Sequence, residues 1–264
     1  MSNVKRIKTN DMSLNEYLES IHIPKGVINE LVSKGLVKEN GKVVTFDLEE
    51  YDKNDVVPID YPIDIIYEDS DIIVLKKERG VLIHSDGNTN NTLLNGLAFY
   101  LNNKGETLKP RSIHRIDVDT IGLVLFSKNI ISYYDLFYQM NEGLIKKKYY
   151  AIVLGEVDRG VIDKPIGKDR HKNNHYLVTK SGKKAVTIYK AIWTKDNKSL
   201  VDVEIKTGRT HQIRVHMAYI GHAIVGDALY GEGNKLMLEN YFLGFINPST
   251  NKYIEIKIDN ELEQ

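Results

Sequence analysis

The chain has no cysteine. Disulfides, thiolate metal sites and a cysteine nucleophile are therefore excluded, and the composition is compatible with the cytoplasm, the expected compartment. Neither charge is in excess, because 36 Lys and Arg balance 36 Asp and Glu. Overall charge thus names no nucleic-acid partner, and any such claim must rest on a local basic face. No apolar run is long enough to span a bilayer, and residues 1–18 lack the apolar centre of a signal peptide, so no membrane partner is expected. Glycine-rich phosphate loops and a Gly-x-Ser-x-Gly elbow are missing, which removes the common nucleotide-binding and serine-hydrolase readings. His211 and His216 lack the i, i+4 spacing of a helical metal pair and have no glutamate between them, so no metal is expected.

What is present concentrates in two short stretches. Residues 112–129, SIHRIDVDTIGLVLFSKN, place His114, Arg115, Asp117 and Asp119 directly before an apolar run that reads as a buried strand. Residues 206–231 place Gly208 and Thr210 before a helical pattern with Ile213, Met217 and Ile220 on one face, closed by Gly221. Arg214 then lies beside the buried face with His211 one turn before it. A carboxylate from one stretch and an arginine from the other make a plausible site. Taken alone, an aspartate before a strand is more often a turn residue than a catalyst. Tyr149 and Tyr150 alternate across a strand, so one faces the core and the other the opposite surface.

The 264 residues suffice for one sizeable core with a small appended domain. Residues 13–46 read as two short helices, the second ended by Gly35, and a hairpin turned at Gly41. The acidic stretch 47–62 reads as a linker, giving expected domains of 1–62 and 63–264. Beyond it, a hairpin over 63–77 and strands at 81–83, 147–155, 185–193, 200–205 and 253–258 are expected. Helices are expected at 92–102 and 129–141, and residues 169–184 read as a mobile basic loop. Strands outnumber helices and come in runs, which predicts an α+β fold with a largely antiparallel sheet.

The first segment resembles the small RNA-binding domain shared by a small-subunit ribosomal protein and many RNA-modifying enzymes. Ser13-Leu14-Asn15 stands where that pattern opens, and Gly35, Val37, Asn40 and Gly41 match its hairpin. Residues 60–259 resemble the RluA family of pseudouridine synthases in five ordered blocks. These are Lys77, Gly80 and His84; His114-Arg115-Ile116-Asp117 with Thr120-Ile121-Gly122; Lys147, Tyr149 and Ala151; Gly182-Lys183 with Ala185, Thr187 and Tyr189; and the unbroken run from Gly208 to His216, continued by Gly226-Asp227 and Tyr230-Gly231. Departures fall at Glu78, Ile121, Ala223, Glu239-Asn240 and Asn247.

The resemblance implies an RNA uridine isomerase that needs no cofactor. It implies Asp117 as catalyst, Arg214 as the partner that keeps it charged, and Tyr149 as the platform for the turning base. Whether the carboxylate attacks sugar or base stays open. Arg115 takes the place of the arginine that fills the gap left by a flipped base, with a surface phosphate contact or ion pair as the alternative. His114, Lys147 and Arg209 are expected to contact RNA, and Leu238 and Ile213 to pack the pocket. The expected partner is ribosomal RNA of the large subunit, with transfer RNA as the alternative, and the expected state is a monomer. A noncatalytic RNA-binding module of the same fold is the competing reading.

Overall fold

The computed structural model describes residues 3–8 and 12–263. The N-terminal part comprises strand β1 (Asn3–Ile7), helix α1 (Leu14–Ser20), helix α2 (Lys25–Ser33), and strands β2 (Val37–Asn40) and β3 (Val43–Asp47). β3 is the middle strand of an antiparallel sheet ordered β1-β3-β2. Ser13 starts α1 through a reciprocal cap: its hydroxyl accepts the Glu16 amide, and the Glu16 carboxylate accepts the Ser13 amide.

This part is clamped to the rest of the molecule. Leu18, Leu31, Val44, Phe46 and Leu48 share one apolar cluster with Leu108 and Ile131. Arg6 and Asp71, both buried, form an ion pair at 2.6 Å. The stretch read as a linker is held as well, since buried Asp52 accepts from Arg111 at 2.5 Å and from the Ile130 amide at 2.7 Å.

The larger part continues with β4 (Asp64–Glu68), β5 (Ile72–Lys77), α3 (Leu93–Asn103), β6 (Arg111–Ser112), β7 (Ile121–Ser127), α4 (Ile130–Asn141), β8 (Lys146–Leu154), β9 (Arg159–Asp163), β10 (Ile166–Lys168), β11 (Tyr176–Val178), β12 (Val186–Lys195), β13 (Lys198–Ile205), α5 (Gln212–Tyr219), β14 (Leu238–Ile246) and β15 (Tyr253–Lys257). A ten-stranded sheet runs β4-β5-β7-β14-β8-β13-β12-β9, with β15 on β14 and β6 on β7. Among the described strands only β7 and β14 pair in parallel. This is the α+β fold expected.

Alternation along β5 sends Ile72 and Val74 to one face and Ile73 and Leu75 to the other. The first pair packs with Leu136 of α4, and the second with Leu93, Leu97 and Leu101 of α3. A third cluster joins Tyr149, Val201 and Val203 of the sheet to Ile213 and Met217 of α5 and to Leu238. No helix among the described residues is long and apolar enough to cross a membrane.

Two local expectations are corrected. Residues 81–83 form no strand, because Leu82 has only a single bridge, to Thr92. The stretch 169–184 is not a structureless loop: it contains β11, which pairs with β10 just before it as a short hairpin, with Ile166 opposite Val178.

Candidate active site

Asp117 lies in the segment that joins β6 to β7, and one buried and one half-buried cation hold that segment in shape. Lys77, fully buried, donates to the carbonyls of Glu78 at 2.9 Å and Val118 at 2.7 Å. Arg79 donates to the carbonyls of Asp119 and Leu236. The Thr120 amide closes a turn onto the Asp117 carbonyl at 3.1 Å. With the backbone fixed on both sides, the Asp117 side chain projects from a rigid base and stays 24 % exposed.

Immediately after this segment β7 meets β14. Gly122 has φ of 107°, and a Cβ there would lie 2.2 Å from the Asn240 carbonyl oxygen. Only glycine permits that conformation and that approach, so the parallel contact beside Asp117 depends on it.

Helix α5 brings Arg214 to Asp117. Its Nη1 donates to Asp117 Oδ2 at 3.3 Å, while Nε and Nη2 donate to the two oxygens of Asp227 at 2.8 and 2.7 Å. Asp227 is fully buried and also accepts the amides of Leu229 and Tyr230. Burial pushes its carboxyl up, but Arg214 and the two amides outweigh this and hold it below its ordinary value. Gly226, with φ of 76°, packs where a Cβ would strike the Lys235 carbonyl, and so sets Asp227 under the guanidinium. In the sequence, Asp227 is marked only by the Gly226-Asp227 pair of the last block.

Two aromatic side chains complete the surroundings. Tyr149 on β8 is 5 % exposed and packs in the cluster that holds Leu238 and Ile213. Burial, then the charge of Asp117, pushes its phenol well above the ordinary value, so it keeps its proton at neutral pH. Tyr230 lies under the Arg214 guanidinium at 5.3 Å from its ring centre. Its hydroxyl accepts the Tyr176 amide of β11 and lies 2.9 Å from His211 Nδ1. His211 Nε2 is 4.0 Å from Asp117 Oδ2. One carboxylate thus faces one guanidinium and one imidazole above an apolar wall that carries a phenol.

A profile of the family described as RNA pseudouridylate synthase matches residues 71–219, which include Asp117, Tyr149 and Arg214. The chain belongs to this family of RNA pseudouridine synthases. It is of the RluA type and is an RNA-modifying isomerase. It is 38% identical over 217 residues to the uncharacterized RNA pseudouridine synthase YhcT of Bacillus subtilis, covering 80% of this chain and 72% of the relative. It is 34% identical over 228 residues to the ribosomal large subunit pseudouridine synthase D of Zymomonas mobilis, covering 78% and 71%. In fold it is similar to human RNA pseudouridylate synthase domain containing 1, with a TM-score of 0.63, 24% identity, and 75% and 83% of the two chains covered.

The synthase sorts the remaining sequence candidates by burial. Arg115 is exposed and has no ion-pair partner among the described residues. Arg209 is exposed too, and its Nε donates to the Lys184 carbonyl at 2.9 Å. His114 and Lys147, expected to contact RNA, are both buried. His114 is 8 % exposed, and its Nε2 accepts the Leu125 amide at 3.2 Å. Burial, then the charge of Lys147, lowers its pKa to about 3, so it stays neutral in the interior. Lys147 is 6 % exposed; its ammonium rests on Met140 Sδ at 3.2 Å and has no carboxylate in ion-pair reach among the described residues. Alternation along β8 explains this, since Lys147 and Tyr149 share the inward face while Lys146 and Lys148 take the outer one.

His216 is also structural: it bridges Thr187 Oγ1 at 2.8 Å and the Lys164 carbonyl at 2.9 Å. Basic side chains near the site gather instead on the β10–β11 hairpin. There Lys168 and Arg170 line an open cleft of about 540 Å³ together with Asn173, Thr179 and Ser181.

Proposed function

We propose that the synthase isomerises specific uridines of large-subunit ribosomal RNA to pseudouridine, with Asp117 as the catalytic carboxylate acting on a base flipped out of its stack. The supporting observation is the ionic arrangement. Asp117 Oδ2 lies 3.3 Å from Arg214 Nη1, and the guanidinium is itself locked to buried Asp227. The reaction breaks the bond from sugar C1′ to N1, turns the base and joins C1′ to C5. C5 then loses a proton and N1 gains one. A carboxylate suits both the attack, or stabilisation of a positive sugar, and the later handling of the proton. Arg214 keeps it ionised and oriented.

Tyr149 supplies a flat face for the detached base and a protonated hydroxyl that can donate to it. Leu238 and Ile213 form the apolar wall behind. Arg115, exposed and unpaired beside the catalytic segment, takes the gap that the flipped base leaves. Arg209 and the hairpin cations Lys168, Arg170, Lys172 and Lys180 contact the RNA backbone. Residues 1–62 are an RNA-binding unit and residues 63–264 the catalytic unit. The choice of large-subunit ribosomal RNA follows the name of the Zymomonas relative.

The test is a map of pseudouridines in ribosomal and transfer RNA from cells with the gene, without it, and with an Asp117→Asn copy. Loss of one or more large-subunit sites that the Asn copy does not restore is the expected outcome. Sites lost only from transfer RNA would move the substrate. Full restoration by the Asn copy would overturn Asp117 as catalyst, and release of free uracil by the purified protein would indicate a base-releasing hydrolase.

A further inference from the structure

We propose that His211 is a positioning residue for Asp117, set in place by the β10–β11 hairpin through the hydroxyl of Tyr230. The inference rests on the reading of Asp117 as the catalyst. It begins with the backbone. His211 occupies the N-cap of α5 with φ of 55° and ψ of 22°, a left-handed conformation unfavourable for a residue with a Cβ. Its side chain makes no capping hydrogen bond to the helix it precedes. The His211 carbonyl accepts the Val215 amide at 2.8 Å, so the backbone starts the helix while the ring is left to engage elsewhere.

The proton count assigns the ring its direction. Tyr230 Oη accepts the Tyr176 amide at 2.9 Å and keeps a proton to donate to His211 Nδ1, also at 2.9 Å. Nδ1 then accepts, and the ring proton sits on Nε2, the atom 4.0 Å from Asp117 Oδ2. Burial lowers the His211 pKa, with Arg214 and His175 adding to the effect and Asp117 and Asp227 opposing it. The neutral ring is a donor aimed at the carboxylate. Tyr230 is fixed in turn by the hydrogen bond that its backbone N–H donates to Asp227 Oδ1 and by the Arg214 guanidinium over its ring.

Oδ2 of Asp117 is thus approached from two directions, by Arg214 and by His211, which leaves Oδ1 for the substrate. The 4.0 Å gap exceeds a hydrogen bond, and catalytic contacts that are long in the free enzyme tighten once substrate is bound. The chain of contacts begins on the hairpin that carries Lys168 and Arg170, so RNA seated there pulls on the same line through Tyr176.

The experiment uses full-length protein in single-turnover reactions on total RNA from cells lacking the gene, grown with uridine tritiated at C5. Each isomerisation releases that tritium to water, whichever RNA class is the substrate. His211→Phe is expected to slow the reaction at saturating RNA by about 10- to 100-fold, with half-saturation shifted by no more than about two-fold. His211→Gln, whose amide N–H can reach the same oxygen, restores most of the rate, and Tyr230→Phe falls between the two. A wild-type rate for His211→Phe, a loss confined to RNA affinity, or Gln no better than Phe would overturn the proposal. Thermal unfolding of each variant identifies a folding defect, in which case the Gln and Tyr230→Phe rates decide. Full activity of Asp117→Asn instead defeats the catalyst assignment on which the inference rests.

Discussion

Asp117 and Asp227 share the guanidinium of Arg214 unequally: Asp227 holds two of its nitrogens at 2.8 and 2.7 Å, and Asp117 receives the third at 3.3 Å. Asp227 is fully buried, whereas Asp117 is 24 % exposed. The firmer contact belongs to the buried residue, and the looser one to the residue proposed as the catalyst. Asp227→Asn is expected to lower unfolding stability by about 3 kcal/mol, because it leaves a buried cation short of its partner. Asp117→Asn is expected to change stability by less than about 1 kcal/mol while abolishing turnover. Denaturant titration of both variants checks this, and equal stability losses would contradict the division of roles.

Gly122→Ala tests the approach of β7 to β14. The new methyl would meet the Asn240 carbonyl oxygen at 2.2 Å, on a residue whose φ of 107° is already strained for alanine. A loss above about 3 kcal/mol is expected, since backbone rather than a flexible side chain must give way. A near-neutral result by urea unfolding would mean that the two strands separate easily.

Glu239 is fully buried on β14 and accepts the Glu261 amide at 3.1 Å. Burial pushes its carboxyl up from 4.5 to about 7, against the pull of that amide. Between these two values the folded chain holds a proton that the unfolded chain has released, so stability falls as pH rises through the window and is flat above it. Glu239→Gln removes the titration and can still accept the amide. It is expected to be more stable than the parent by about 2–3 kcal/mol at neutral to alkaline pH, with the gain shrinking towards about pH 4. Thermal unfolding across that range is the measurement, and a pH-independent difference would refute the account.

Lys147 has the opposite charge and the opposite slope. Burial alone lowers its pKa from 10.5 to about 8. Between 8 and 10.5 the unfolded chain carries a proton that the folded chain lacks, so stability rises with pH across that window. Below it both states are charged and the full cost of burying the ammonium persists. Lys147→Met is therefore expected to stabilise the protein by about 2–3 kcal/mol at pH 7, with the gain gone above about pH 10.5. A destabilised variant at pH 7 would show that the ammonium makes a favourable contact in the fold.

Much of the fold was legible because apolar spacing and core position coincide. The run in β7 and the helical set Ile213 and Met217 in α5 both point inward as their spacing requires. β14 was not legible. Glu239 and Asn240 stand at its start, fully buried, where a central strand would ordinarily show apolar residues. β10 and β11 are three residues each and lie in a basic stretch, too short to show a period. In the site, Asp117 and Arg214 stood out because they sit in dense polar blocks, whereas Asp227 follows a glycine and looks like a turn. His114 and Lys147 lie in equally polar blocks yet point inward, because the face a side chain takes is set by strand register and not by its neighbours in sequence.

The place of β14 in the sheet has a consequence for how the enzyme is assembled. It is the penultimate of the described strands, yet it lies in the middle of the sheet, parallel to β7 on one side and antiparallel to β8 on the other. During synthesis the half that carries Asp117 and the half that carries Tyr149 and Arg214 are complete before the strand between them exists. Such late, long-range pairing is slow, and it leaves two open sheet edges exposed in the meantime. The two halves of the sheet are therefore joined only when residues 238–246 insert between them.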